Sequence, residues 1–281
     1  MTNPDNTGDR DRPTITRRRL LAAAGAAGVL GSGASYASAG TAPAYTHYTY
    51  AQTTAGSERL VRVAWYETYN GQRIDRSNEA LALGNQSTWN QTAAAGDFVD
   101  DPPQPLIDLG NVLPGDHGSV VVGLHGNAAP AAVWLQLMAT QSNENGRNEP
   151  EQTAGDTTPD IGELVDALQI RIWYDSGVAG LGACNGRRDL DVGVDLLDEP
   201  LLVEGSLRTV GEALANGVPL ATSGTESERD CLGQDPLCLG LEWSLDADVD
   251  NTIQSDSVAF DLSFAAATCE FDANPFGGEQ T

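Results

Sequence analysis

Short runs of alternating apolar and polar residues recur along the chain, and turn residues separate them. In "ERLVRVAWYETYNG", Val61, Val63 and Trp65 occupy alternate positions, so these three side chains can face one core. Asn70-Gly71 ends this run as a turn. Runs of this length, bounded by turns, predict an all-β sandwich of antiparallel strands rather than a parallel α/β sheet.

Two strands are predicted in the middle of the chain. The turn "LPGD" at 113–116 leads into "GSVVVGLHG", where Val120, Val122 and Leu124 share one face. The segment "NAAPA" then turns the chain into a second strand, "AVWLQLMA". Three later runs predict further strands, "LQIRIWYD", "LCLGLEWSL" and "DSVAFDLSFAAATC", the first of them after a helical turn.

One short helix is predicted in "GSLRTVGEALANG". Ser206 is the expected N-cap, because its hydroxyl can accept from a free backbone N–H of the first turn. Leu207, Val210 and Leu214 are spaced to lie on one face of the helix. Gly217 is the expected end of the helix.

Two stretches, 72–108 and 140–160, are polar and rich in turn residues. We expect long surface loops there, and we expect the second loop to be mobile. Asn85 and Asn90 begin N-x-S/T triplets in the first loop and are candidate glycosylation sites.

The first 39 residues differ in kind from the rest of the chain. "TRRRLL" precedes a weakly apolar stretch and the small-residue run "ASA", which resembles a twin-arginine export signal with cleavage near Gly40. A short buried helix and an uncleaved signal that anchors the chain in a membrane are the alternatives. We therefore expect a signal region at 1–39, an N-terminal segment at 40–56, one sandwich domain at 57–272 and an acidic tail at 273–281.

The chain is strongly acidic, with a net charge of −25, and each of its 15 basic residues is Arg. The Debye length is about 30 Å at 0.01 M salt and about 3 Å at 1 M, so brine would screen the self-repulsion of such a surface. This composition resembles that of haloarchaeal proteins. It argues against nucleic acid as a partner, because no basic patch is present to release counterions.

All four cysteines follow the expected export signal; they are Cys184, Cys231, Cys238 and Cys269. An even number of cysteines in an exported chain predicts two disulfides. The short spacing of "CLGQDPLC" favours Cys231 with Cys238 and, by elimination, Cys184 with Cys269. A zinc site built from all four thiolates is the alternative, although the C-x2-C spacing typical of such sites is missing.

Motifs of enzyme catalysis are missing from the sequence. The three histidines, His47, His117 and His125, form no H-E-x-x-H zinc motif, and no G-x-S-x-G nucleophile elbow is present. Carboxylates are too numerous for their spacing to single out a glycosidase pair. We therefore expect a protein that is not an enzyme and requires no cofactor.

An acidic cluster in "RRDLDVGVDLLDE" contains Asp189, Asp191, Asp195 and Asp198. Its spacing does not fit an EF-hand, but its carboxylates are candidate calcium ligands. The alternative is an exposed edge strand or loop with its Asp residues outward.

The segment "APAYTHYTY" alternates Tyr48 and Tyr50 with other residues just after the expected cleavage point. It is either the first strand of its own sheet or a strand that pairs with an open sheet edge of a neighbouring molecule. In the second case, Tyr48 and Tyr50 are candidate assembly residues.

The order of these segments, from the signal through "AGSERLVRVAWYETYNG", "IDLGNVLPGDHGSVVVGLHGN" and "GSLRTVGEAL" to "DSVAFDLSFAAATCE", resembles haloarchaeal members of the TasA/camelysin-like family. The resemblance implies a jelly-roll β-sandwich and a subunit of extracellular fibres or pili that are joined by a donated N-terminal strand. Where a "YFSD"-like segment is expected after the signal, this chain has "SYASAGTAPAY". The family's metalloendopeptidase label corresponds to no zinc-ligand motif in this sequence.

These features together predict a secreted, non-enzymatic protein of the cell surface or extracellular matrix. Its expected partners are other copies of itself or other surface proteins, with membrane contact only through an uncleaved signal. An extracellular module that binds calcium or polysaccharide is the alternative function, and a metalloendopeptidase is the third.

Overall fold

The computed structural model describes residues 45, 47–53, 59–74, 107–127, 129–158, 160–176, 183–188, 199–221, 231–233, 235–270 and 274–277. The signal region at 1–39, the glycosylation candidates Asn85 and Asn90, and the acidic cluster formed by Asp189, Asp191, Asp195 and Asp198 lie outside the described residues.

The described chain consists mainly of β-strands. The strands are β1 (His47–Tyr50), β2 (Gln52–Thr53), β3 (Val61–Tyr69), β4 (Gln72–Ile74), β5 (Ile107–Gly110), β6 (His117–Gly126), β7 (Ala131–Asn143), β8 (Gln169–Tyr174), β9 (Leu201–Ser206), β10 (Val218–Pro219), β11 (Leu237–Ser244) and β12 (Ser257–Thr268). The helices are α1 (Glu149–Ala154), α2 (Leu164–Ala167), α3 (Leu207–Leu214) and a 3-10 helix at Asn251–Ile253.

These strands form two sheets, which confirms the all-β sandwich. The first sheet has the order β1-β3-β6-β11-β8-β9, with β4 also paired to β3. The second has the order β10-β7-β12-β2, with β5 also paired to β12. Each described pairing is antiparallel except that of β2 with β12. Among consecutive described strands, β3–β4 and β8–β9 stay within one sheet, and each of the other connections crosses between the sheets.

The core lies between the sheets and contains the side chains that the alternation selects. Val61, Val63 and Trp65 of β3 are buried in it, as predicted. The inward residues of β6, β7, β8 and β12 confirm the same pattern; they are Val120, Val122, Leu124, Val133, Leu135, Leu137, Ile170, Ile172, Tyr174, Val258, Phe260, Leu262 and Phe264. Helix α3 covers one end of this core with Leu207, Val210 and Leu214.

Both ends of α3 follow the sequence signals. The Ser206 hydroxyl accepts from the Thr209 N–H at the start of the helix. At the other end, Gly217 has φ +75° and donates its N–H to the Leu214 carbonyl. Glycine takes this left-handed conformation without a Cβ penalty, so the predicted stop is confirmed.

The predicted loop at 140–160 is wrong. Strand β7 continues to Asn143 because β12 pairs with it along its whole length, and α1 follows. Helix α1 begins with a capping box, in which the Asn148 side chain accepts from the Glu151 N–H and the Glu151 side chain accepts from the Asn148 N–H. The loop predicted at 72–108 also contains two strands, β4 and β5, at its ends. Polar composition concealed β5 and the end of β7 because both pair with β12, far away in the sequence, whereas β4 is a short polar strand that pairs with β3 across the Asn70-Gly71 turn.

The disulfide pairing favoured from spacing is wrong as well. Cys184 is bonded to Cys238, with a Cα–Cα distance of 5.3 Å, and Cys231 is bonded to Cys269, with a Cα–Cα distance of 5.9 Å. The strands explain this pairing. Leu232 bridges to Ala131, which also pairs with Thr268, so Cys231 is held beside Cys269. Cys238 packs with Cys184 and Val121 in a cluster separate from the core between the sheets.

Candidate functional site

Two features of the described chain are candidates for function: the N-terminal segment, formed by Tyr45 and His47–Thr53, and a buried cluster of carboxylates at one end of the sandwich. The N-terminal segment belongs to both sheets. Its β1 pairs with the edge of β3 in the first sheet, and its β2 pairs with β12 in the second. Between them, Ala51 donates its N–H to the Val61 carbonyl at 3.0 Å.

Side chains of the N-terminal segment make close contacts with β3. His47 lies opposite Trp65, and their rings stack with centroids 4.9 Å apart. Tyr45 and Tyr48 are buried against Ala64, and the Tyr48 hydroxyl donates to the Tyr45 carbonyl. The segment therefore fills a defined slot along the two sheet edges.

The two predicted assembly residues lie within this slot. Tyr48 is buried, and Tyr50 is half-buried under the guanidinium of Arg59, which is 4.7 Å from the ring centroid. Both belong to β1, which pairs with β3 of its own chain. The alternative in which this segment is the first strand of its own sheet is therefore confirmed for the single chain.

The second feature, which we call the carboxylate cluster, consists of Glu144, Glu151, Asp156, Glu163 and Asp256. Glu144 follows β7, Glu151 lies on α1, Asp156 follows α1, Glu163 precedes α2 and Asp256 precedes β12. Carboxylate oxygens of Glu144, Asp156 and Glu163 lie within 4.8 Å of one another, and so do those of Glu144, Glu151 and Asp256. Glu144 belongs to both groups and joins them.

Four of the five side chains in the cluster have little exposure to solvent. Glu151 is 0% exposed, Asp256 1%, Glu144 4% and Asp156 7%, while Glu163 is half-buried. Burial, reinforced by the neighbouring carboxylates, raises the pKa of Glu144 to about 7. Burial also raises the pKa of Asp256 to about 6, although a hydrogen bond from the Leu164 N–H opposes it. The pKa of Asp156 is lowered, chiefly because its carboxylate accepts the Thr158 N–H.

Each carboxylate of this cluster except Glu144 is held by hydrogen bonds from the protein. Asp156 Oδ1 accepts the Thr158 N–H at 2.7 Å, and Glu163 Oε1 accepts the Thr158 hydroxyl. Asp256 Oδ2 accepts the Leu164 N–H at 2.9 Å. Glu151 accepts from the Asn148 N–H and from the Ser255 hydroxyl, the latter at 2.9 Å.

Other carboxylate oxygens of the cluster accept no hydrogen bond from the described residues. Within the described part of the chain, five of these oxygens are buried without an N–H or O–H partner: Asp156 Oδ2, Glu163 Oε2, Asp256 Oδ1 and both oxygens of Glu144. Such an arrangement can hold a proton between two carboxylates or a cation among them.

Sequence reasoning missed this cluster, because it treated 140–160 as a loop and looked for calcium ligands at 189–198. The signal that could have located part of it is N-x-x-E at Asn148 and Glu151, with Pro150 between them, which is a helix start. No sequence signal places Asp256, which is 112 residues after Glu144, beside that residue.

Comparisons with known proteins add no relative: no family model matches this chain, and no curated protein matches it. The two disulfides fit an oxidising, extracellular environment. Among the residues that the structure describes, no helix has the length and hydrophobicity of a membrane span.

Proposed function

We propose that this protein is a secreted, non-enzymatic structural protein of the cell surface or extracellular matrix, whose copies join by exchanging the N-terminal segment. The observation that carries the proposal is that one terminal segment pairs with the edges of both sheets, at β3 and at β12. A strand added to a sheet edge gains affinity from its main-chain hydrogen bonds and specificity from the pockets that receive its side chains.

Every copy of the chain offers the same slot and carries the same segment. The contacts of Tyr45, His47 and Tyr48 with β3 can therefore be made equally well by the segment of a neighbour. Exchange of an identical element costs little, because almost no native contact is lost. Open-ended exchange produces a filament, whereas reciprocal exchange produces a dimer.

The disulfides, the net charge and the N-terminal sequence support a role outside the cell. The two disulfides persist in an oxidising compartment, and the net charge of −25 calls for the screening of brine. The twin-arginine-like signal supplies a route of export for the folded chain. The resemblance to TasA/camelysin-like proteins supports the same role, with other copies or other surface proteins as partners.

Negative-stain electron microscopy of the mature protein in about 3 M NaCl, where surface charge is screened, tests the proposal. Ordered filaments are expected, and deletion of residues 40–56 should abolish them. Tyr48→Asp should also abolish them, because it places a charge at a buried position of the slot. The matched control is Gln52→Asp, an exposed residue of the same segment, which should leave filaments intact.

Monomers that persist at every concentration would contradict the proposal. Equal loss of filaments in the Tyr48 and Gln52 variants would also contradict it, because added charge rather than the slot would then govern assembly.

A second candidate function is a calcium-dependent extracellular module, and the carboxylate cluster favours it. A module of this kind would stay monomeric and keep its ligand affinity after deletion of residues 40–56. The same truncated protein therefore separates the two functions.

A further inference from the structure

We propose that the carboxylate cluster is a calcium site, in which Glu144, Asp156, Glu163 and Asp256 bind the cation through the oxygens that the protein leaves unpaired. The site lies where β7 ends and β12 begins, and none of its ligands belongs to the N-terminal segment. Its ligands are not those predicted at 189–198, which lie outside the described residues.

The spacing of the oxygens fits a shared cation. Calcium binds oxygen ligands at about 2.3–2.6 Å, so two ligands of one ion lie at most about 5 Å apart. The oxygens of Glu144, Asp156 and Glu163 lie within 4.8 Å of one another, as do those of Glu144, Glu151 and Asp256. Since Glu144 has two unpaired oxygens, it can serve both groups.

The burial of unpaired oxygens is the second, independent observation. Asp156, Glu163 and Asp256 each use one oxygen to accept a hydrogen bond from Thr158 or from the Leu164 N–H. In each of the three, the remaining oxygen is buried without a partner among the described residues. Hydrogen bonds to the outer oxygen of a ligand are the usual means of orienting carboxylates towards a metal.

Glu144 argues most strongly for a ligand. Its side chain is 4% exposed, and neither of its oxygens accepts an N–H or O–H in the described part of the chain. Its side chain faces the Asp256 carboxyl, to which it can hydrogen-bond only through a shared proton. A buried carboxylate without hydrogen bonds or a counter-charge is costly. Arg147, the cation nearest in sequence, instead donates from Nη1 to the main-chain carbonyl of Asp156 at 3.1 Å. A divalent cation would satisfy both oxygens and offset the charge.

The donor chemistry selects calcium among common divalent cations. Both groups in the described residues consist of carboxylates alone, without the nitrogen or sulfur ligands that zinc favours. Magnesium demands near-ideal octahedral geometry and keeps several waters, which a crowded set of buried carboxylates does not suit. Calcium accepts six to eight oxygens in irregular arrangements.

Binding of calcium would stabilise the contact between the segment 144–163 and the start of β12. Asp256 comes from the β12 side and the other three ligands come from the segment, so the ion would join parts of the chain that are far apart in sequence. The expected result is a more stable sandwich in calcium and a loosened 144–163 segment without it.

The test uses chelator-treated mature protein in about 3 M NaCl, which suppresses loose binding of cations to the acidic surface. Calcium chloride is titrated in by calorimetry, bound calcium is counted after dialysis, and thermal unfolding is followed with and without the ion. Saturable binding at a small whole-number stoichiometry and a raised Tm are expected. Glu144→Gln should weaken calcium binding at least about tenfold.

The matched control is Asp160→Asn, which removes a charge from an exposed position of the same segment and should leave the affinity unchanged. If Glu144→Gln does not fold, the half-buried ligand variant Glu163→Gln carries the comparison instead. Equal weakening by the ligand variant and the control would overturn the proposal, because binding would then follow net charge. Failure of the wild-type protein to bind calcium, with Glu144→Gln raising Tm in chelator, would overturn it in favour of a proton shared by Glu144 and Asp256.

Discussion

The indole of Trp173 packs directly on the backbone of Gly240. The two residues lie opposite each other on β8 and β11, and a Cβ built on Gly240 would lie 2.2 Å from Cζ2 of Trp173. Trp173 is 1% exposed, so its ring has little space into which to move. The absence of a side chain at position 240 is therefore a packing requirement of the first sheet.

Gly240→Ala should destabilise the protein by about 1–3 kcal/mol, because the added methyl group must displace a fixed indole. Chemical denaturation in high salt measures the loss. Gly233→Ala is the matched control, since no atom lies within 4 Å of its Cβ position and its φ is not in the left-handed region. Equal stability of the two variants would show that the ring yields freely.

Peptide mapping under non-reducing conditions should find Cys184 linked to Cys238 and Cys231 linked to Cys269. The bonds close loops with sequence separations of 54 and 38, and loop entropy predicts about 4 kcal/mol of stabilisation from each. Replacing both cysteines of one pair by Ala should therefore lower the free energy of unfolding by a large fraction of the total. A peptide that joins Cys231 to Cys238 would contradict the strand pairing that brings Cys231 to Cys269.

Asp175 makes stability depend on pH. It is fully buried beside Cys184, and burial, with a contribution from Glu199, raises its pKa to about 7 despite the hydrogen bond that Oδ2 accepts from the Gly186 N–H at 2.7 Å. Between about pH 4 and pH 7 the folded chain therefore holds a proton that the unfolded chain releases. Its contribution to the free energy of unfolding should fall as pH rises through that window and stay low above it.

Asp175→Asn removes this titration while keeping an oxygen for Gly186. The fall in unfolding free energy from pH 4 to pH 8 should be smaller in the variant than in the wild type, by an amount on the order of a few kcal/mol. Comparing the two proteins cancels the slopes from Glu144 and Asp256, whose raised pKa values act in the same direction. Parallel pH profiles would show that Asp175 is not the group that holds the proton.

The parts of the fold that sequence predicts are those that local spacing determines. Val61, Val63 and Trp65 face the core because strand side chains alternate, and Ser206 caps α3 because it immediately precedes the helix. These signals need no knowledge of partners.

The missed parts depend on partners distant in sequence. Cys231 meets Cys269 only because Ala131 pairs with both Leu232 and Thr268. Asp256 reaches Glu144 for a similar reason, since it precedes the strand that pairs with β7. Long-range pairing of this kind leaves no periodic trace in the sequence.

The most direct test of the proposed function asks whose β1 occupies each slot. Tyr50 and Arg62 are directly opposed on β1 and β3, at a spacing that a disulfide can bridge. Chains carrying Tyr50→Cys are mixed with chains carrying Arg62→Cys, assembled in about 3 M NaCl, oxidised and separated without reducing agent. Strand exchange predicts a disulfide between the two kinds of chain in the assembled material. Absence of that bond, with ready closure of a disulfide inside a chain carrying both substitutions, would contradict it.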